Sequence, residues 1–236
     1  MSNSTRHHYI PKFLIKGFSN SENLLWIYDK KKDIIKANPR PPKSIFWEPN
    51  RNTVPLNNSE TSSFIEDEFF KHLDNFLAPT IRDFQEKEIN KSLLSVENLS
   101  LFQFFIINLF WRLPYTDYAW GDLVQRAEIS TDKIDPEVLR NNEAFQKWQR
   151  SGIFKHVIDQ LGEGKRPGPN FFVKVLEFDF DLFVLSDNPI LFQRTPIEFT
   201  DLNYLDYMIP VSSERLYIHT LNGYDNFRKK QGFDYI

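Results

Sequence analysis

The sequence predicts an α+β domain in which a helical middle segment packs with an antiparallel sheet. Three observations support this class: a small β-rich region comes first, apolar residues then recur at three- and four-residue steps, and strand-like runs return after residue 168. Because strands cluster apart from helices, the pattern favours α+β over alternating βαβ winding. We expect residues 1–236 to form a single domain.

The first β element is predicted at residues 24–36, where Leu-Leu-Trp-Ile-Tyr-Asp, a polar Lys-Lys-Lys-Asp turn and Ile-Ile-Lys follow one another. A connector with five prolines, residues 38–55, comes next. Proline fixes φ and lacks a backbone donor, so this connector is predicted to be loop or extended chain.

The helical middle begins near residue 59, where Ser63 and Glu66 have the spacing of a capping box. The stripe predicted to be buried comprises Phe64, Ile65, Phe69, Leu73, Phe76, Leu77 and Ile81. Pro79 is expected to kink or divide this helix. Ser95 is predicted to cap a second, strongly apolar helix that runs to Trp111, and Pro114 follows its end. Further helices are predicted at 118–128 and 136–161.

Four strands are predicted in the last third of the chain, at residues 171–176, 182–185, 207–212 and 215–221. The runs Asn-Phe-Phe-Val-Lys-Val-Leu-Glu-Phe and Asp-Leu-Phe-Val-Leu are separated by a short acidic turn. They are therefore expected to be antiparallel neighbours.

Composition limits the function classes. The net charge of -3 argues against nucleic-acid binding by bulk charge, although it leaves a local basic groove open. The absence of cysteine removes disulfide and thiolate chemistry and fits a cytoplasmic location. The most apolar stretch, residues 101–113, is shorter than the roughly 20 apolar residues that a membrane span needs, so no membrane association is expected.

The motif Arg6-His7-His8-Tyr9-Ile10-Pro11-Lys12-Phe13 is the most unusual local feature. Histidine can transfer protons near neutral pH or bind a metal, which makes His7 and His8 candidate catalytic residues. Adjacent residues of a strand point to opposite faces, so the two rings need not share a role. The alternative is that one ring caps local structure and the other is solvated.

The second motif is Ser186-Asp187-Asn188-Pro189, expected at the end of a buried strand. Asp187 and Asn188 are candidate catalytic residues, because a carboxylate there could bind a metal, orient a histidine or act as a base. The alternative is a structural turn in which these side chains bond nearby backbone amides.

Arg112 and Lys12 are the candidate substrate-binding cations. Arg112 could clamp a phosphate or carboxylate, or instead form a structural ion pair near the helix C-terminus. We interpret Glu66, Glu68, His72 and His156 as non-catalytic, whereas His219, in a predicted strand, could reach a site. The chain has no P-loop, no dinucleotide-binding glycine motif, no serine-hydrolase elbow and no His-Glu-x-x-His.

Several of these motifs, taken together, resemble the bacterial family called domain of unknown function 4238. The resemblance rests on His7-His8-Tyr9-x-Pro11-Lys12-Phe13, Gly17-Phe18, the Leu-Trp-Ile-Tyr-Asp run, Pro42-Lys43-Ser44, the Ser-Asp-Asn-Pro motif and Pro210-Val211-Ser212. It implies one cytoplasmic α+β domain and no established activity. It also implies a further C-terminal helix, so the chain is expected to be truncated.

Two functions fit these features. The first is a phosphodiester hydrolase or nuclease, in a bacterial conflict or defence setting, that uses the histidines, Asp187 and Arg112 with or without a divalent metal. The second is a non-catalytic sensor or interaction module in which the same groups are structural. Both readings predict that a histidine ring lies within about 8 Å of Asp187.

Overall fold

The computed structural model describes residues 5–55, 61–126, 136–147, 149, 171–192 and 205–221. Within this part of the chain, the strands form one four-stranded sheet and three two-stranded pairs. The strands are β1 (Arg6–His8), β2 (Tyr28–Asp29), β3 (Ile34–Ile35), β4 (Trp47–Pro49), β5 (Val54–Pro55), β6 (Thr61–Ser62), β7 (Phe172–Glu177), β8 (Leu191–Phe192), β9 (Tyr207–Pro210) and β10 (Arg215–Thr220).

Helices fill the middle of the chain, as predicted. The α-helices are α1 (Lys12–Lys16), α2 (Lys71–Glu86), α3 (Val96–Arg112), α4 (Asp117–Arg126) and α5 (Pro136–Arg140). A π-helix (Ile65–Phe70) precedes α2, and 3-10 turns cover Pro42–Ser44 and Pro114–Thr116.

The four-stranded sheet has the order β7-β10-β9-β8, and every pairing in it is antiparallel. Strand β10 lies centrally and pairs along its full length with β7, from Arg215 opposite Glu177 to Thr220 opposite Phe172. The predicted α+β class is therefore confirmed, as is the first hairpin, in which Tyr28 pairs with Ile35.

The strand predicted at 182–185 is wrong. Leu182 and Phe183 both donate their backbone N–H groups to the Ser213 carbonyl oxygen, a convergence that a regular ladder does not allow. Val184 is 81% exposed, so the segment is not buried either. The next strand after β7 in the chain is instead β8, which begins only after Pro189 and lies at the opposite edge of the sheet from β7.

Helix α3 forms the centre of the core. Every residue from Phe102 to Arg112 is buried, as expected of a helix that is apolar around its circumference. The Ser95 hydroxyl accepts the Asn98 N–H at 3.3 Å, which confirms the predicted N-cap. One side of α3 stacks on the sheet, where the Phe102 and Tyr217 ring centroids lie 3.8 Å apart.

The stripe predicted for the preceding helix is correct in part. Ile65, Leu73, Leu77 and Ile81 are buried, but Phe64 and Phe76 are about half exposed or more. The π-helical turn shifts the apolar face by one residue, so Phe70 is buried, which the prediction missed.

The predicted capping box is also wrong. The Glu66 carboxylate accepts from the Asn52 side chain at 2.7 Å, and the Ser63 hydroxyl donates to Asp67. Pro79 lies inside α2 and does not divide it.

Gly17 joins the N-terminal segment to the four-stranded sheet. A Cβ atom at Gly17 would lie 2.6 Å from the Val211 carbonyl oxygen, so only glycine allows this approach. The Gln85 amide donates to the carbonyl oxygens of Phe13, Leu14 and Val211, which ties α1, α2 and the end of β9 together.

Phe105 is 0% exposed, so truncating its side chain measures how much the burial of α3 contributes to stability. We expect Phe105→Ala to lower the free energy of unfolding by about 3–5 kcal/mol, because a large cavity replaces the ring. Val96→Ala on the same helix is the control, since Val96 is 54% exposed and should cost under about 1 kcal/mol. Urea unfolding measures both, and equal losses would contradict the assigned core.

Candidate functional site

The N-terminal motif is held against the body of the protein by backbone pairing. Strand β1 pairs with β4 so that His7 lies opposite Glu48 and His8 opposite Trp47. The pairing continues beyond the strand, because the Tyr9 N–H donates to the Phe46 carbonyl oxygen at 3.0 Å. The fully buried Ile10 then anchors the segment in the core. A chain end that would otherwise fray is fixed in place.

His7 is fully buried, and its Nδ1 accepts the Asn52 backbone N–H at 2.8 Å. That nitrogen therefore carries no proton and has its lone pair occupied. Asn52 in turn donates from its side chain to Glu66 at 2.7 Å. His7 thus holds the 50–53 loop near the start of the π-helix, and its Nδ1 is not available to a metal or a substrate.

His8 is also buried, with 7% of its surface exposed, so neither histidine is the solvated residue that one interpretation expected. Burial, together with the positive charges of Lys12 and Arg112, lowers the pKa of His8 to about 4, although a hydrogen bond with the Lys43 backbone acts to raise it. The ring is neutral at pH 7. Its Nε2 has no hydrogen-bond partner among the residues that the structure describes.

Arg112 connects the motif to the helical middle. Its guanidinium donates to the Asp74 carboxylate at 2.5 Å and to the His8 carbonyl oxygen at 2.9 Å. It also lies over the Phe70 ring, 4.4 Å from the ring centroid. The side chain is 3% exposed. This arrangement matches the structural ion pair, which was one of the two roles predicted for Arg112 from the sequence.

Arg51 extends this network to the surface. Its Nε donates to the Arg112 carbonyl oxygen at 3.1 Å, and its other nitrogens bind Glu48 at 2.7 Å and Asp117 at 2.6 Å. The sequence reasoning missed Arg51, Asp74 and Asp117. The sequence does contain a hint of Asp74. A buried arginine in an apolar helix needs an anionic partner, and Asp74 interrupts the apolar stripe of α2.

The Ser-Asp-Asn-Pro motif forms a turn. The Ser186 hydroxyl accepts the Asn188 N–H at 3.1 Å and donates to the Asn188 carbonyl oxygen at 2.6 Å. The Asp187 side chain is 61% exposed and pairs with Lys30 Nζ at 2.7 Å. This hydrogen bond from Lys30 is the main cause that lowers the pKa of Asp187. An exposed pair of this kind contributes little to stability.

The two motifs approach each other at Tyr9. Burial raises the pKa of the Tyr9 hydroxyl, and the negative charges of Asp187 and Glu48 raise it further. Asp187 therefore acts electrostatically on the third residue of the His-His-Tyr run. Its ion pair is with Lys30, and the predicted pair between a histidine and Asp187 stays a prediction.

The remaining candidates are dispersed. Lys12 is exposed at the start of α1 and reaches the cluster only through its charge. His219 is buried between the rings of Phe171 and Tyr207, its Nδ1 lies 3.1 Å from the Leu205 carbonyl oxygen, and burial lowers its pKa to about 4. His72 is exposed beside Glu68. His156, interpreted from the sequence as non-catalytic, lies outside the described residues.

A cavity of about 250 Å³ lies beside the Arg51 and Arg112 side chains. The charged groups at its wall are already engaged: Arg51 with Asp117, Arg112 with Asp74, and Lys147 with Glu143. Within the described residues, no group of three or more histidine or carboxylate side chains is arranged to hold a metal ion.

A family model described as "Protein of unknown function (DUF4238)" matches residues 6–167, which is more than half of the chain. The chain belongs to this family. The match includes the N-terminal motif and Arg112, and it ends before the Ser-Asp-Asn-Pro motif of this DUF4238 protein. No curated protein and no solved structure matches the chain. No helix in the described part of this family member is long and apolar enough to cross a membrane.

Two of the buried histidines, His8 and His219, should make stability depend on pH in a defined window. Each has a folded-state pKa of about 4, below the ordinary 6.5, so the unfolded chain binds more protons between these values. Stability should therefore be complete above pH 6.5 and fall as the pH drops toward 4, by up to about 1.4 kcal/mol per pH unit for each ring.

Urea unfolding of the wild type, His8→Gln and His219→Phe across this window measures the effect. Each variant should show a shallower pH slope than the wild type, whereas His72→Gln, at an exposed position, should leave the slope unchanged. Equal slopes in all four proteins would contradict the assigned pKa values.

Proposed function

We propose that this protein is a non-catalytic interaction module, in which the N-terminal motif and Arg112 form a structural lock and the binding surface lies elsewhere. The observation that supports this is that both terminal nitrogens of the Arg112 guanidinium are hydrogen-bonded, while its Nε has no partner among the described residues. The side chain holds the Asp74 carboxylate, the His8 carbonyl oxygen and the Phe70 ring at once, and it is 3% exposed.

The histidines also favour the structural role. A general base works best when its pKa lies near the working pH and its nitrogen reaches the substrate. The His8 pKa of about 4 keeps the ring neutral, and its burial separates it from solvent. His7 uses Nδ1 to hold the Asn52 backbone.

The cations assigned to substrate binding fit the same proposal. A phosphate that bound the terminal nitrogens of Arg112 would have to displace Asp74, and removing one partner of a buried ion pair costs several kcal/mol. A phosphodiester hydrolase built on these residues would therefore have to open the lock in every turnover.

Arg112→Met tests the proposal, because methionine keeps the apolar packing on Phe70 and removes every hydrogen bond. We expect a loss of about 2–4 kcal/mol in the free energy of unfolding, somewhat below the range for a fully buried pair because Asp74 is partly exposed. Lys91→Met, at an exposed lysine, is the control and should cost under about 0.5 kcal/mol.

The same proteins are then assayed for cleavage of a fluorescein-labelled 20-nucleotide oligothymidylate with Mg²⁺ or Mn²⁺. The proposal predicts that wild type and Arg112→Met give the same background. It would be overturned by wild-type cleavage that His8→Gln or Arg112→Lys abolishes while each variant melts at the wild-type temperature.

A further inference from the structure

The hairpin formed by β2 and β3 presents an apolar face to solvent. Trp26 lies two residues before Tyr28, the first residue of β2, and exposure alternates along residues 25–29, so the two side chains lie on the same face. Ile35 is the cross-strand neighbour of Tyr28. These three side chains are 63%, 56% and 67% exposed. Ile27, on the opposite face, packs against the core and fixes the orientation of the ribbon. We call residues 26–40 the aromatic hairpin.

Single exposed apolar side chains are ordinary, but three at one short hairpin indicate a binding surface. At the turn of the hairpin, Asp33 adopts a φ of 53° and its carboxylate accepts a hydrogen bond from the Tyr28 hydroxyl at 2.5 Å. The Tyr28 ring is thus held in place on the ribbon.

The aromatic hairpin is also the basic part of an acidic protein. It contains Lys30, Lys31, Lys32, Lys36 and Arg40 against Asp29 and Asp33, so five positive and two negative charges give +3. Since the whole chain carries -3, the other residues sum to -6. Lys30 is paired with Asp187, whereas Lys31 and Lys32 are exposed at the turn.

We infer that the aromatic hairpin binds single-stranded nucleic acid, with bases stacked on Trp26 and Tyr28 and phosphates beside the lysines of the turn. The inference rests on the proposed function, because a non-catalytic module acts through a binding surface. Residues two apart on a strand are about 7 Å from each other, so each ring can take a separate base. Exposed aromatic rings combined with a basic track are the recognition elements of single-strand binding proteins.

The position of the charges favours a strand over a membrane surface. The end of the hairpin is Lys30-Lys31-Lys32-Asp33, and the apolar side chains lie behind it along the side of the ribbon. A flat bilayer that approached the turn of the hairpin would contact the lysines before the apolar side chains. A flexible nucleic-acid strand, in contrast, can lie along the side of the ribbon and contact both. A second copy of the hairpin is disfavoured because it would bring two charges of +3 together.

Fluorescence anisotropy with a fluorescein-labelled 20-nucleotide oligothymidylate in EDTA tests the inference. Trp26→Ala and Tyr28→Ala should each weaken binding by roughly 5- to 150-fold, the equivalent of one lost base stack. Tyr28→Phe keeps the ring and should retain most of the affinity. Phe180→Ala is the matched control, since Phe180 is 57% exposed and lies outside the hairpin, so it should not change the affinity.

The lysines are tested by salt dependence. Lys31→Glu with Lys32→Glu should reduce the slope of log Kd against log salt by about 1.4, that is about 0.7 for each lost phosphate contact on a single strand. Lys91→Glu, an exposed lysine outside the hairpin, should leave the slope unchanged.

Three results would overturn the inference: no oligothymidylate binding at low salt, binding that the hairpin variants leave intact, or hairpin-dependent binding to phosphatidylserine vesicles in place of oligothymidylate. Each is distinct from failure of the proposed function, which appears as metal-dependent cleavage that His8→Gln abolishes. The hairpin variants should melt with the wild type, because the mutated side chains are exposed.

Discussion

The guanidinium of Arg112 joins three parts of the molecule that are distant in sequence. It lies at the end of a helix that is buried around its circumference, so its charge is almost fully removed from solvent. A buried charge must be paired and hydrogen-bonded, and here Asp74 of α2 and the His8 carbonyl oxygen of β1 provide the partners. Helix α3 therefore dictates where both neighbouring elements lie.

The rest of the N-terminal region follows from that constraint. With the His8 carbonyl oxygen fixed, β1 pairs with β4, and Arg51 from the following loop can cap the Arg112 carbonyl oxygen while it binds Glu48 and Asp117. This hydrogen-bond network therefore connects the buried Arg112 with the ion pair of Arg51 and Asp117 at the surface. Arg112, conspicuous in the sequence as a cation in an apolar helix, thus contacts both α2 and β1.

The sequence predicted the elements that depend on local signals. The Ser95 cap and the apolar run of α3 are such signals, and so is the Lys-rich turn of the first hairpin. The buried face of the preceding helix was partly misassigned, because a π-helical turn shifts the phase of the apolar stripe by one residue and no simple period reports it.

The candidate site was harder to predict because its contacts are non-local. Asp74 and Arg51 are separated from Arg112 by 38 and 61 positions, and one sequence does not reveal such pairings. Asn108 shows the same limit. It is fully buried one turn before Arg112, yet neither amide atom has a hydrogen-bond partner among the described residues, an arrangement that apolar periodicity would not predict.

Native-state hydrogen exchange on Arg112→Met and the wild type tests the structural lock most directly. If Arg112 holds the N-terminal segment, the amides of β1, α1 and β4 should lose protection in the variant by a larger factor than those of α3 and β10, because the segment can open without global unfolding. Equal loss of protection across all these elements, or none in β1, would contradict the account.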